Sequence, residues 1–168
     1  MKKKERKRIL VSLVISLLMV ISAVAFSFNL KNSEEENKIL KFKYNGKAIE
    51  VEMKYRENET ESVKRNYFPY FEEFINNKFY FYSDPKLKEK AIRLLSFINY
   101  FAVLNEACLQ DKPCYSEVLP IKDCNNNFIV FEYSEEEEIR KDGNCIFLKG
   151  NETSIDKVID AFFYEIKK

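Results

Sequence analysis

Cys108, Cys114, Cys124 and Cys145 are the residues of this chain best suited to chemistry, and five, nine and twenty residues separate them. Thiols can ligate a metal, exchange electrons or close disulfides, and spacing distinguishes these uses. Zinc and iron–sulfur sites favour close C-x2-4-C pairs, which the chain lacks, and thiol redox centres favour C-x-x-C, which it also lacks. An even cysteine number in an exported segment points to disulfides, for which several pairings are open. The preferred one joins Cys108 to Cys114, clipping the loop after a helix. It also joins Cys124 to Cys145, tying the segment before one strand to the start of the next.

Other chemistry is thinly represented. The chain has no histidine, which excludes imidazole ligands and histidine-based triads. It has three glycines and no G-x-G-x-x-G, G-x-x-x-x-G-K-[ST] or G-x-S-x-G motif, so a phosphate cradle or nucleophile elbow is not expected. Carboxylates are abundant, but pairs such as Glu73 with Glu106 or Asp156 with Asp160 show no shared site in one dimension. The run at residues 135–138 reads as a solvated charge block, and no oxygen-rich turn has EF-hand spacing. No catalytic residue, metal site or cofactor is therefore expected, and a noncatalytic role follows.

These residues need elements to position them, and the first is topogenic. Residues 9–30 carry no charge. Twenty-two helical residues rise about 33 Å, enough for a hydrocarbon core of roughly 30 Å. Lys2, Lys3, Lys4, Arg6, Lys7 and Arg8 precede this run and Glu34, Glu35 and Glu36 follow it. The positive-inside rule then puts the N-terminus in the cytoplasm and the C-terminal domain outside a single-pass cell-membrane anchor. The alternative is secretion after cleavage near Ala25, since Ala23 and Ala25 form a small-x-small pattern. Residues 1–30 thus read as basic tail and anchor, 31–37 as linker, and 38–168 as one exported domain. Residues 31–168 hold 22 Lys plus Arg against 26 Asp plus Glu, so the basic charge belongs to the tail and no nucleic-acid partner is expected.

Within the domain, Asn45-Gly46 between alternating runs predicts a hairpin, with Lys41 opposite Glu50, Phe42 opposite Ile49 and Leu40 opposite Val51. Phe71, Phe74 and Ile75 after Pro69 suggest a short helix. Asp84-Pro85 opens a pattern that reads as one long helix over 85–107. Residues 128–133 and 145–150 read as two strands, antiparallel by default, with the charged run between them as a connection. Thr153 with Asp156 suggests a capping box for a final amphipathic helix over 154–166.

The aromatic-rich stretch 67–82 is either core or a binding surface in which Tyr67, Phe68, Tyr70, Tyr80 and Tyr82 would meet a sugar, lipid or apolar peptide. Asn58 and Asn151 each begin an N-E-T acceptor for N-glycosylation.

Residues 129–166, with the strand run "IVFEY", the stretch "GNCIFLKG", Cys145, Gly143, Gly150 and the terminal apolar stripe, resemble small archaeal membrane-anchored envelope proteins. The resemblance implies a surface domain in which two strands and a terminal helix close the fold, and it transfers no catalytic residue. The expected fold is α+β: an N-terminal transmembrane helix, then one exported domain of antiparallel hairpins packed against helices. The expected function is that of an envelope accessory or structural-interaction protein, partnered by the membrane and by envelope proteins or an identical subunit. The alternative is an extracytoplasmic ligand-binding module built on residues 67–82.

Overall fold

The computed structural model describes residues 39–168, and Leu40–Lys168 form one compact unit. The expected membrane span lies outside the described residues; among those described, no helix is long and apolar enough to cross a membrane.

The chain opens with the hairpin β1 (Ile39–Tyr44) and β2 (Lys47–Glu52). Asn45 and Gly46 both have positive φ, 48° and 76°, as a type I′ turn requires. The expected charge pairing is present, with Lys41 Nζ 3.0 Å from Glu50 Oε1. Leu40, Phe42 and Val51 are buried on the other face. This hairpin is a sheet of its own and does not extend the main one.

The main sheet corrects the expected antiparallel architecture. Its six strands are β3 (Lys64–Arg65), β4 (Lys78–Ser83), β5 (Val103–Glu106), β8 (Phe128–Tyr133), β9 (Glu138–Asp142) and β10 (Cys145–Gly150), in the order β3-β9-β10-β8-β4-β5. β8 and β10 pair parallel, with Phe128 opposite Cys145, so they are not a hairpin. The antiparallel partner of β10 is β9, with Ile139 opposite Leu148. β4 lies parallel to both β5 and β8. The reason is visible in the charged run: Ile139 is buried on one face while Glu138 and Arg140 point to the other, so residues 138–142 alternate as a strand must. A short link over 134–137 then carries the chain past the end of β10, where the Ser134 amide donates to the Gly150 carbonyl at 3.1 Å.

Two of the three expected helices are shorter than the sequence pattern suggests. A single 3-10 turn at Pro85–Leu87, capped by the Lys86 amide donating to Asp84 Oδ1 at 3.0 Å, leads into α1 (Lys88–Ile98). The expected helix over 85–107 therefore stops early, because its last residues alternate as β5, with Leu104 beside Phe79 of β4. The short helix expected near Phe71 is one 3-10 turn, Phe71–Glu73. The final helix α2 (Ile155–Lys167) is present, but its start is held differently from the expected Thr153–Asp156 box. Asn151 Oδ1 accepts from the Thr153 and Ser154 amides, each at 3.0 Å, and Asp156 is drawn into an ion cluster instead.

One face of the sheet, with Phe79, Ile129, Phe131, Ile139, Ile146 and Leu148, packs on both helices and the hairpin. Phe97 of α1 is the hub, its ring 4.6 Å from Phe42, 4.8 Å from Phe101 and 5.0 Å from Phe163. The opposite face buries Tyr82, Phe128, Val130, Cys145 and Phe147 beneath the 107–127 segment. That segment holds the two-stranded sheet β6 (Cys108–Leu109) and β7 (Ile121–Lys122).

Both disulfides have the preferred pairing, Cys108–Cys114 with Cα atoms 5.2 Å apart and Cys124–Cys145 with Cα atoms 5.0 Å apart. The first clips the covering loop and the second ties it to β10. Gly143 in the β9–β10 turn has φ +56°, and a Cβ there would lie 2.9 Å from the Cys124 carbonyl oxygen. We expect Gly143→Ala to destabilise the domain by about 1–3 kcal/mol, from left-handed strain plus the clash with backbone. Urea denaturation checks this, and an unchanged midpoint would refute the tight approach.

Candidate functional site

Two places gather functional groups: a charged cluster under the hairpin and a groove beside it. The cluster forms where α2 presents Asp156 and Asp160, one turn apart, to the chain leaving β2 and to α1. Asp160 is fully buried. Its Oδ2 accepts from the Lys54 and Tyr55 amides, both at 2.8 Å, and its Oδ1 lies 2.5 Å from Arg93 Nη2. Asp156 Oδ2 accepts from Lys54 Nζ at 2.8 Å and Lys90 Nζ at 3.0 Å. Arg93 also donates to the Glu52 carbonyl at 3.0 Å and the Asp156 carbonyl at 3.2 Å.

Two adjacent carboxylates suggest acid–base chemistry, yet here Asp160 faces two amides and Arg93, and Asp156 faces Lys54 and Lys90. Burial pushes the Asp160 carboxyl up, with Arg93 and the two amides pulling against it. Burial also opposes ionisation of Asp156, but Lys54 and Lys90 prevail and hold it below the usual carboxylate range. The arrangement clamps the hairpin, α1 and α2 together.

A pH dependence follows from Asp156. Its lowered folded value contributes stability that is present above the unfolded value of about 3.9 and is lost as pH falls through the folded value. Asp156→Asn should therefore cost about 1–2 kcal/mol at pH 7, a modest figure because both lysines are partly exposed. The gap to the unaltered protein should narrow once the pH is brought below the unfolded value of about 3.9. Urea titrations at the two pH values measure it, and an equal gap at both would exclude a charge effect.

Three other carboxylates singled out in the sequence are also paired. Glu138, in the run read as solvated, is buried in β9. Burial opposes its ionisation, and Lys149 and Lys64, at 3.3 and 3.4 Å, hold its carboxyl below the usual range. Glu73 takes Tyr67 and Lys141, whereas Glu106 takes Lys88. Among the described residues no group of three or more Cys, Asp or Glu could hold a metal ion.

The aromatic residues singled out in the sequence do not converge. Tyr67 packs against the helix-covered core, and burial followed by its hydrogen bond to Glu73 pushes its phenol up. Phe68 and Tyr70 are exposed nearby. Tyr80 and Tyr82 belong to the opposite sheet face, where Tyr82 is buried and Tyr80 lies partly open beneath Lys122. Burial, with Tyr115 beside it, pushes Tyr82 up, while the nearby Lys78 ammonium lowers Tyr80. The two acceptor asparagines also differ. Asn58 is exposed, while half-buried Asn151 spends its amide on the α2 start and on Glu135, 3.0 Å away.

The groove lies between β2 and α1 and was not legible as a site in the sequence. It encloses about 710 Å³, walled by Ile49 and Val51 on one side and by Ser96 and Phe97 on the other, with Tyr44 and Tyr100 at one end. Arg93 closes the other end on the Glu52 carbonyl. Ser96 is exposed and small, which leaves the space open; Tyr100 stands 68 % exposed beside it. The sequence signal was the hairpin itself, whose second strand has an unpaired edge, but the position of α1 beside that edge is a tertiary fact.

No protein-family model matches the chain, and no curated protein and no solved structure matches it.

Proposed function

We propose that this chain is a noncatalytic envelope accessory protein. Its residues 9–30 hold it in the membrane, and its disulfide-bonded domain docks a partner outside the cytoplasm. The observation that carries the reading is the groove between the β2 edge and α1, a concave, partly apolar surface beside unpaired backbone. Two disulfides support an oxidising compartment. The ion pairs and amide contacts of Asp156 and Asp160 support a structural role for this buried acidic site.

Gentle solubilisation of native membranes, chemical crosslinking and size analysis test the proposal. The protein is expected in a larger assembly, with intact mass retaining residues 1–30 and no free thiol. Recovery as free monomer only, under conditions that preserve envelope complexes, would overturn it.

A further inference from the structure

We propose that the groove takes an extended peptide strand of a partner protein. The strand would carry Lys or Arg at alternate positions with apolar residues between, and it would add to the free edge of β2. This rests on the docking reading above and specifies its geometry and chemistry.

The two-residue turn at Asn45-Gly46 makes Tyr44 and Lys47 a hydrogen-bonded pair, so the backbone groups of Ala48, Glu50 and Glu52 point away from β1. Arg93 confirms that direction independently, because it reaches the Glu52 carbonyl from α1, on the side opposite β1. By the alternation of a strand, the N–H and C=O groups of Ala48 and Glu50 point the same way, into the groove. Among the described residues, no hydrogen bond from another element meets them. An incoming strand satisfies them, which is the usual source of affinity in strand addition.

Side chains then set the chemistry. Ala48, Glu50 and Glu52 are exposed on one face of β2, while Ile49 and Val51 turn towards the core. Glu52 has no ion-pair partner among the described residues, whereas Glu50 already shows the preference, bonded to Lys41 across β1. An adjoining strand with cations on this face repeats that pairing, and its apolar residues on the other face meet Ile49, Phe97 and Tyr100. A second copy paired β2 to β2 would instead bring the Glu50 and Glu52 rows of both copies together. Like charges on neighbouring strands disfavour it.

The test uses the full chain in detergent and three synthetic peptides: Lys-Val-Lys-Phe-Lys-Val-Lys, its counterpart with Glu for Lys, and the lysine peptide N-methylated at alternate amides. The lysine peptide is expected to bind saturably and the other two not to bind. Ala48→Pro removes an outward donor while leaving the β1 ladder intact, and should abolish binding without loss of the folded far-ultraviolet signal. Ser96→Arg, at an exposed helix position, should do the same by filling the groove, and keeps the test decisive if the proline variant misfolds. Glu52→Lys should weaken binding about fivefold, the scale of one exposed ion pair.

No binding of the lysine peptide, equal binding of the N-methylated peptide, or binding unaffected by both Ala48→Pro and Ser96→Arg would overturn the proposal. So would self-association that Ala48→Pro abolishes in the absence of peptide binding. A protein found in native assemblies but blind to the peptide refutes strand addition alone, whereas a free monomer in native membranes refutes the docking reading itself.

Discussion

Reducing both disulfides is expected to cost the domain about 5 kcal/mol, with the larger share, about 3 kcal/mol, from Cys124–Cys145. The asymmetry comes from loop length: the cysteines of that pair are 21 residues apart, those of Cys108–Cys114 only 6. It is reinforced by position, since Cys145 is fully buried between Phe128 and Phe147 on the covered sheet face. Domains of this kind are stable by roughly 5–15 kcal/mol, so reduction removes a large part of the margin. Guanidinium denaturation with and without a phosphine reductant measures the loss. Cys108→Ser with Cys114→Ser should reproduce the smaller share. An unchanged midpoint on full reduction would show that the packed sheet alone sustains the fold.

Asp160→Ala is the point substitution with the largest expected effect, about 3–5 kcal/mol. It leaves Arg93 in a largely enclosed site without its nearest countercharge, and it strips the Lys54 and Tyr55 amides of their acceptor. Arg93→Met alone should also destabilise, because Asp160 is then a buried carboxylate held only by amides. The double variant should cost less than the sum, with a coupling of about 1–3 kcal/mol. Thermal and urea unfolding of the four proteins completes the cycle. Additive losses would mean that the two side chains contribute independently and that the clamp is not a unit.

Much of what is local in this fold was legible in the sequence. Asn45-Gly46 specified its turn and therefore the pairing of Lys41 with Glu50, since a two-residue loop fixes register. The apolar stripe from Ile155 to Ile166 specified α2, and every residue of that stripe is buried. The cysteine pairing could be anticipated because each bond ties segments whose roles were readable. What failed was non-local. β4 and β8 lie in the middle of a sheet covered on both faces; "KFYFYS" lacks the alternation that marks a half-exposed strand, whereas "FIVFEY" was legible as a strand but not by its partners. Their parallel pairing depends on chain crossings that no short window encodes. The charge run hid β9 because Glu138 finds Lys64 and Lys149 only in three dimensions. For the same reason Asp156 and Asp160 looked like two acidic residues of an acidic chain, and the groove was not visible at all.

The clamp at Asp160 also sets an order of events. The amides of Lys54 and Tyr55 find their acceptor 106 and 105 residues further along the chain. During synthesis from the N-terminus, the hairpin can form early from its own turn and meet Phe97 of α1, but the buried acceptor that fixes the end of β2 is missing until α2 has been made. Closing so long a loop is entropically slow, and the apolar face of the hairpin, with Leu40, Phe42 and Val51, lacks its cover from α2 throughout the wait. The nascent domain therefore passes through an interval in which β1 and β2 are its most adhesive surface, and a holding factor that covers them would raise the yield of folded protein.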